Sequence, residues 1–326
     1  MIDTFFDALG TTVRLQLHGA GAQDAERRAR RWLDAFDACA SRFRADSELC
    51  RLNADPRPVV PASPLLRATV GAGLWGAART EGLIDPVVVD ALETQGYGGT
   101  WDRRRALDLR DALAAAPARR AAAPAPAARW ASVIIDGDAG TIARPPGLRL
   151  DTGGTGKGLA ADALLQVIGS CRAVVDLGGD IALQPEAGGD VPFEVQVAHP
   201  LTGAISHVLE LAGGAVATSG IDARVWPGPD GPSHHLLDPS TGRPAWTGLI
   251  SVTALAPTVL EAEILAKAAL LSGPDGAPAW LAEHGGVLVA DDGTTELVGL
   301  LRRPSRRVAR LRIPDGAWPL RSEVLG

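Results

Sequence analysis

From residue 132 onward the apolar runs are short, and Gly, Pro or Asp separates each from the next: Ser132 to Ile135, Leu148 to Leu150, Ala173 to Asp176, Phe193 to Val197 and His207 to Leu211. Runs of that length bounded by turn residues predict strands. Longer stretches of helical character, Lys157 to Ile168 and Thr258 to Leu271, are set among them, and the second is followed by a strand at Val287 to Ala290 and a polar, Arg-rich tail. Strands and helices mix without regular alternation. That pattern predicts an α+β fold, a mixed and mostly antiparallel sheet with packed helices, over a doubly wound parallel sheet.

The N-terminal part fits the same class. Residues 4 to 18 alternate around a Gly10-Thr11 turn and predict strand, whereas Ala25, Ala29, Trp32, Leu33, Phe36 and Ala40 recur at three and four and predict an amphipathic helix over 22–40. A further helix is expected from Pro64 to Thr80, with Pro64 in its first turn and Gly82 beyond its end. Gly71, Gly73 and Gly76 argue against it unless small residues are needed there for close approach. Between Asp102 and Arg129 the chain turns to Ala, Arg and Pro, which reads as a helix followed by a linker. The expected organisation is one domain over 1–326 with a low-complexity insertion near 112–129.

Composition narrows the function classes. With 46% hydrophobic and 21% charged residues over 326 positions, the chain is globular. A net charge of −6 and the lack of any basic stripe argue against nucleic acid as a partner. Cys39, Cys50 and Cys171 are widely spaced and form no CxxC pair, so they are expected to be reduced and structural. No apolar stretch reaches the eighteen or so residues of a membrane span, and no leader pattern opens the sequence, so the expected address is cytoplasmic.

Several segments carry chemistry. Leu150-Asp151-Thr152-Gly153-Gly154-Thr155-Gly156-Lys157-Gly158 reads as a strand end, a glycine-rich turn and a helix start. Free N–H groups, a helix N-terminus and the Lys157 charge invite a phosphate there. It is not a Walker A loop, because Asp151 stands at the first Gly position and Gly158 follows the lysine, and it is not a dinucleotide fingerprint, because GxGxxG fails at Leu159. In Ser233-His234-His235-Leu236-Leu237-Asp238-Pro239 an adjacent His pair points to opposite faces of a strand, so at most one enters a given site. That histidine is suited to hold a phosphate, act as a base, or satisfy a buried polar contact. Thr218-Ser219-Gly220 offers hydroxyls and N–H groups, and Asp85 is a carboxylate fixed before Pro86. Glu263 and Lys267 stand four apart on one helix face, the spacing of an ordinary ion pair.

Taken in order, these segments resemble the ApbE-type FAD:protein FMN transferases. The resemblance rests on Leu9-Gly10-Thr11, the stretch Phe43 to Asn53 with its Ser47-Glu48 and Leu52-Asn53, Asp85-Pro86-Val87, Asp151 to Gly158, Leu177-Gly178-Gly179-Asp180, Thr218-Ser219-Gly220, His235 to Pro244, and Ser251-Val252-Thr253. It implies an α+β domain that binds FAD and an enzyme that moves the FMN half onto a Thr or Ser hydroxyl of a target flavoprotein, releasing AMP. FAD contacts are implied at Leu9, Phe43, Leu83, Ile84, Asp85, Asp151, Lys157 and His235, with Thr218, Ser219 and Gly220 lining the same ligand. His235, Lys157 and Asp151 are the implied catalytic set. A magnesium ion is implied at the Gly154 carbonyl and the side chains of positions 263 and 267.

At that last place the chain departs from the pattern. The family has Asp and, four residues later, Thr; here the positions are Glu263 and Lys267. A charged ammonium has no lone pair and repels a dication at contact distance. Three arrangements stay open: Lys267 replaces the metal's charge, pairs with Glu263 over an empty site, or turns to solvent. Leu9 for Met and Thr155-Gly156 for an apolar-Ala pair are smaller departures. Two functions are therefore expected, a working flavin transferase or a flavin-binding protein that keeps the pocket without catalysis. The family's acceptor pattern, Asp-x-x-(Ser/Thr)-Gly-Ala-(Thr/Ser), is absent from this chain, so no self-modification at such a site is expected.

Overall fold

A computed structural model describes residues 1–299; the Arg-rich tail lies outside the described residues. Its centre is an eight-stranded sheet. The strands are β1 (Ile2–Ala8), β2 (Thr11–Leu17), β3 (Ala173–Leu177), β4 (Asp180–Gln184), β5 (Gly214–Gly220), β6 (Leu249–Ala256), β7 (Gly286–Ala290) and β8 (Thr295–Val298). Their spatial order is their chain order, and each neighbouring pair is antiparallel. The first hairpin turns on Leu9 and Gly10, both at positive φ (53° and 69°), with Ala8 opposite Thr11. Two left-handed residues give the twist that lets a two-residue loop join antiparallel strands.

The helices are α1 (Ala22–Ala40), α2 (Glu48–Ala54), α3 (Pro64–Arg79), α4 (Val89–Thr94), α5 (Leu109–Ala115), α6 (Gly156–Ile168) and α7 (Val259–Trp280). One face of the sheet is covered by α1, α6 and α7, which share a core with Leu15, Val175, Ala217, Val252 and Ala254. The other face is covered by the hairpin Phe193–Ala198 and Ile205–Leu211, whose Phe193, Val195 and Leu211 meet Leu183, Val216 and Leu255. Strand β6 is buried at every residue, and a strand covered on both faces reads as a continuous apolar run instead of an alternating one.

Small residues let the helices close on one another. A Cβ on Gly76 of α3 would come within 3.3 Å of Ile264 in α7, and one on Gly73 within 3.2 Å of Pro86. The glycines that argue against α3 by propensity thus allow its packing. A Cβ on Gly158 would lie 2.8 Å from both Leu260 Cα and Glu263 Oε2, so α6 meets α7 through a bare backbone. Helix α7 is interrupted at Gly273 (φ 71°), just before Pro274, close to the expected end at Leu271.

Three expectations fail. Residues 148–150 form no strand; Leu150 instead donates its N–H to Asn53 Oδ1 (2.8 Å) and accepts from Asn53 Nδ2 (2.9 Å) at its carbonyl, so a side-chain amide substitutes for a paired strand. The run from Ser132 begins in a 3₁₀ turn and becomes strand only over Ile134–Asp136. The segment after α5 is no free linker. Arg120 N–H bonds Trp246 O (2.9 Å), Ala122 N–H bonds Leu271 O (2.8 Å), and Ala123 accepts from Ser240 N–H (3.0 Å). Those bonds strap the chain across the end of the unbroken part of α7.

Candidate functional site

The glycine-rich turn enters α6 under tight constraint. Asp151 N–H bonds Pro86 O (2.8 Å), Asp151 Oδ1 accepts from Gly153 N–H (2.7 Å), and Thr152 Oγ1 donates to Ala40 O (2.9 Å). Asn53 holds the preceding residue, as described. Glu48 in turn binds the first turn of α3, accepting from Ser63 N–H (2.7 Å) and Ser63 Oγ (2.6 Å). The Ser47-Glu48 and Leu52-Asn53 stretch is therefore scaffolding that aims Asp151.

Lys157 follows in the first turn of α6, and its Nζ pairs with Asp180, a residue 1% exposed at the start of β4. Burial works against the lysine's charge, but the carboxylates of Asp180 and Glu263 outweigh it and hold its pKa above the ordinary value. The turn before β4 is fixed by Asp176 Oδ1 accepting Gly179 N–H (2.8 Å). Burial likewise raises Asp85, whose Oδ1 accepts from Val87 N–H (2.8 Å). Thr218 of β5 shares a hydroxyl hydrogen bond with Thr253 of β6 (2.9 Å).

The two histidines separate. His234 is wholly buried, edge-on to Trp246 with centroids 4.7 Å apart, and burial pushes its pKa down to about 3. His235 lines a cavity, and burial together with the nearby cations Arg224, Lys267 and Lys157 pushes it well below the usual histidine range. Its imidazole is neutral at neutral pH. Its Nδ1 is buried with no partner among the described residues, which leaves Nε2 as the nitrogen available to a ligand.

That cavity has a volume of about 1050 Å³. Its wall includes Leu9, Phe43, Leu83, Ile84 and Asp85, then Asp151, Gly154 and Lys157, then Thr218, Ser219 and Gly220, and finally His235, Glu263 and Lys267. Every site residue expected from the sequence is thus in one place. The volume lies just above the usual range of small-molecule sites, roughly 300–1,000 Å³, so the cavity has room for a large ligand.

Sequence reading missed several wall residues. The Arg42 guanidinium lies 4.4 Å from the Phe43 ring centroid and 5.2 Å from that of Tyr97, and its Nε is 3.4 Å from Asp151 Oδ2. Tyr97 stacks on Trp226 at 5.3 Å, giving the cavity an aromatic edge. Arg224 also lines the cavity, with no carboxylate partner among the described residues. Asp180 and Arg224 sit within or just beyond quoted motifs, so their positions were visible although their roles were not. Arg42 and Tyr97 carry no local signal except adjacency to Phe43 and the rarity of Tyr, which occurs once.

The implied magnesium site does not fit a metal. Lys267 Nζ donates to Gly154 O (2.8 Å) and to Glu263 Oε1 (3.1 Å), and Glu263 Oε2 accepts from Gly158 N–H (2.9 Å). An ammonium therefore stands between the two oxygens that would ligate the ion, where magnesium would need to approach within about 2.1 Å. No cluster of three or more His, Cys, Asp or Glu suited to a metal occurs among the described residues. Of the three arrangements left open by sequence, the turn to solvent is excluded.

Comparison with known proteins agrees with this architecture. The model of the ApbE family matches residues 9–290. A protein of Klebsiella pneumoniae (strain 342) called FAD:protein FMN transferase is 29% identical over 288 residues, covering 85% of this chain and 80% of its own. One of the same name from Treponema pallidum (strain Nichols) is 30% identical, covering 75% and 70%. The crystal structure of the ApbE protein of Thermotoga maritima MSB8 superposes with a TM-score of 0.75 at 25% identity, covering 93% of this chain and 99% of that one. The flavin transferase ApbE of Vibrio cholerae, 22% identical with a TM-score of 0.71 and coverage of 91% and 96%, shares the fold. With the family model spanning most of its length and the same fold in solved relatives, this chain belongs to the ApbE family.

Proposed function

We propose that this protein is an FAD:protein FMN transferase, taking FAD as substrate and a flavoprotein as target, and attaching FMN through a phosphoester to a Thr or Ser hydroxyl. The observation that supports it most is the single cavity whose wall carries His235, Lys157 and Asp151 together with the aromatic edge of Phe43 and Tyr97. In this reading the isoalloxazine or adenine ring lies against the aromatic edge, and Arg42, stacked on Phe43, stiffens it. Leu83 and Ile84 supply apolar wall, and Asp85 and the Thr218-Ser219-Gly220 strand end supply polar contacts.

The reaction forms a bond between the acceptor hydroxyl oxygen and the FMN phosphorus and breaks the pyrophosphate bond to AMP. The hydroxyl proton passes to Nε2 of His235, which is unprotonated at neutral pH; burial and the cations Arg224, Lys267 and Lys157 make it a weak base in the empty site, and the negative charge of the FAD pyrophosphate offsets those cations. AMP departs with the bridging oxygen, and its growing charge is met by Lys157 and by the N–H groups of the glycine-rich turn. Asp151 holds that turn and Arg42 in place. Magnesium is no part of this scheme, because the groups that would bind it are engaged by Lys267.

Intact-mass analysis of a flavoprotein acceptor domain incubated with this protein and FAD tests the proposal. One FMN phosphoester added per acceptor, with AMP released, is expected; His235→Ala should abolish the gain while FAD still binds. Full transfer by that variant would remove the histidine's role. A proven acceptor left unmodified while FAD binds would make the protein a flavin binder.

A further inference from the structure

Lys267 is fixed on two sides. Two of its three ammonium donors are taken, by the carbonyl of Gly154 in the glycine-rich turn and by Glu263 one helical turn back, and the third has no partner among the described residues. Its side chain is 12% exposed and borders the cavity, so the free N–H belongs to the site and not to bulk solvent. Glu263 cannot follow another partner, because its second oxygen is held by Gly158 N–H and the residue is 2% exposed. The ion pair bridges the N-terminal turn of α6 to α7 at the end of the cavity where Lys157 also stands.

We propose that the Lys267 ammonium is this chain's resident cation, holding the place of a divalent metal and donating its third N–H to a phosphoryl oxygen of the FAD pyrophosphate. The inference rests on the transferase reading for the identity of the substrate. One positive charge replaces two. The shortfall is met by the Arg224 guanidinium, which lines the same cavity and has no carboxylate partner among the described residues. FAD binding and FMN transfer are then independent of divalent ions, and the site needs no metal to be complete.

The test uses the whole protein. FAD binding is followed by flavin fluorescence and transfer by acceptor mass, each in EDTA and in excess magnesium chloride, and magnesium is titrated calorimetrically into the FAD-loaded protein. Binding and rate should each change by less than about twofold, with no magnesium isotherm, since the Gly154 and Glu263 oxygens are taken by Lys267 and Gly158. Lys267→Met should weaken FAD binding about 10- to 100-fold in either medium, the loss of a charged hydrogen bond. Lys267→Thr with Glu263→Asp should restore binding only when magnesium is present and should show an isotherm. A magnesium isotherm in the wild-type protein, or loss of FAD binding in EDTA, would overturn the proposal. EDTA-insensitive, Lys267-dependent FAD binding with no transfer under any condition would uphold it and remove the transferase reading instead. The wild-type measurements need no variant, so a misfolded Lys267→Met protein leaves the test intact.

Discussion

Asp180 is almost wholly buried, and its only ionic partner among the described residues is Lys157. Removing one member of such a pair leaves a charge without solvent or counter-ion, which costs far more than the pair contributes. Lys157→Met should therefore destabilise the protein by about 3–5 kcal/mol, and adding Asp180→Asn should recover most of that loss. Urea denaturation of the two single variants and the double variant checks it; equal, additive losses would show that the carboxylate is not dependent on the lysine. At this scale legibility was uneven. The Glu263/Lys267 pairing could be read from a spacing of four, but the third member, the Gly154 carbonyl, lies 113 residues from Lys267 and only the fold brings it there. Which of His234 and His235 enters the site was likewise undecided by sequence, because strand alternation says that they diverge and not which face holds the cavity.

Helices α6 and α7 meet where Gly158 exposes its backbone to Leu260 and Glu263. Asp162, one turn further along α6, caps α7 by accepting from Val259 N–H (2.8 Å) and Leu260 N–H (3.0 Å). The contact thus positions both the turn at the start of α6 and the carboxylate that Lys267 binds. Gly158→Ala should push the helices apart, costing about 1–3 kcal/mol and breaking the Glu263 hydrogen bond; thermal unfolding together with FAD affinity measures both. Unchanged unfolding and affinity would mean that the helix pair can relax around a methyl group. Elements with strong periodicity were legible, as α1 shows: Ala25, Ala29, Leu33, Phe36 and Ala40 are all buried. The run Leu148 to Leu150 was not, because three apolar residues look the same whether a strand or the amide of Asn53 satisfies their backbone.

Burial of His234 gives the whole molecule an acid sensitivity. Its pKa is about 3 folded and about 6.5 unfolded, so below pH 6.5 the unfolded chain takes up a proton that the native state refuses. Stability from this group is complete above pH 6.5 and is lost as pH falls towards 3, by about 1.4 kcal/mol per pH unit. Asp162, pushed up to about 7 by burial, works in the opposite sense, gaining stability as pH falls from 7 towards its ordinary 3.8. A comparison of wild-type and His234→Phe protein cancels that contribution. The wild-type curve should fall relative to that of the variant as pH drops from 6.5 to 4.5; parallel curves would show that the histidine titrates alike in both states. The α+β class was legible because turn residues and helical runs are local, whereas the layering of helices on one sheet face and a hairpin on the other was not. No helix among the described residues is long and apolar enough to cross a membrane. The strap after α5 has a consequence for anyone who engineers this protein. Its alanines and prolines advertise a spacer, the natural place to splice in a tag or a cleavage sequence, yet mechanically it is a belt. Cutting it would unbuckle the end of α7, the turn after Asp238 and the Trp246 segment together. The exposed turn at 186–190 is the safer seam.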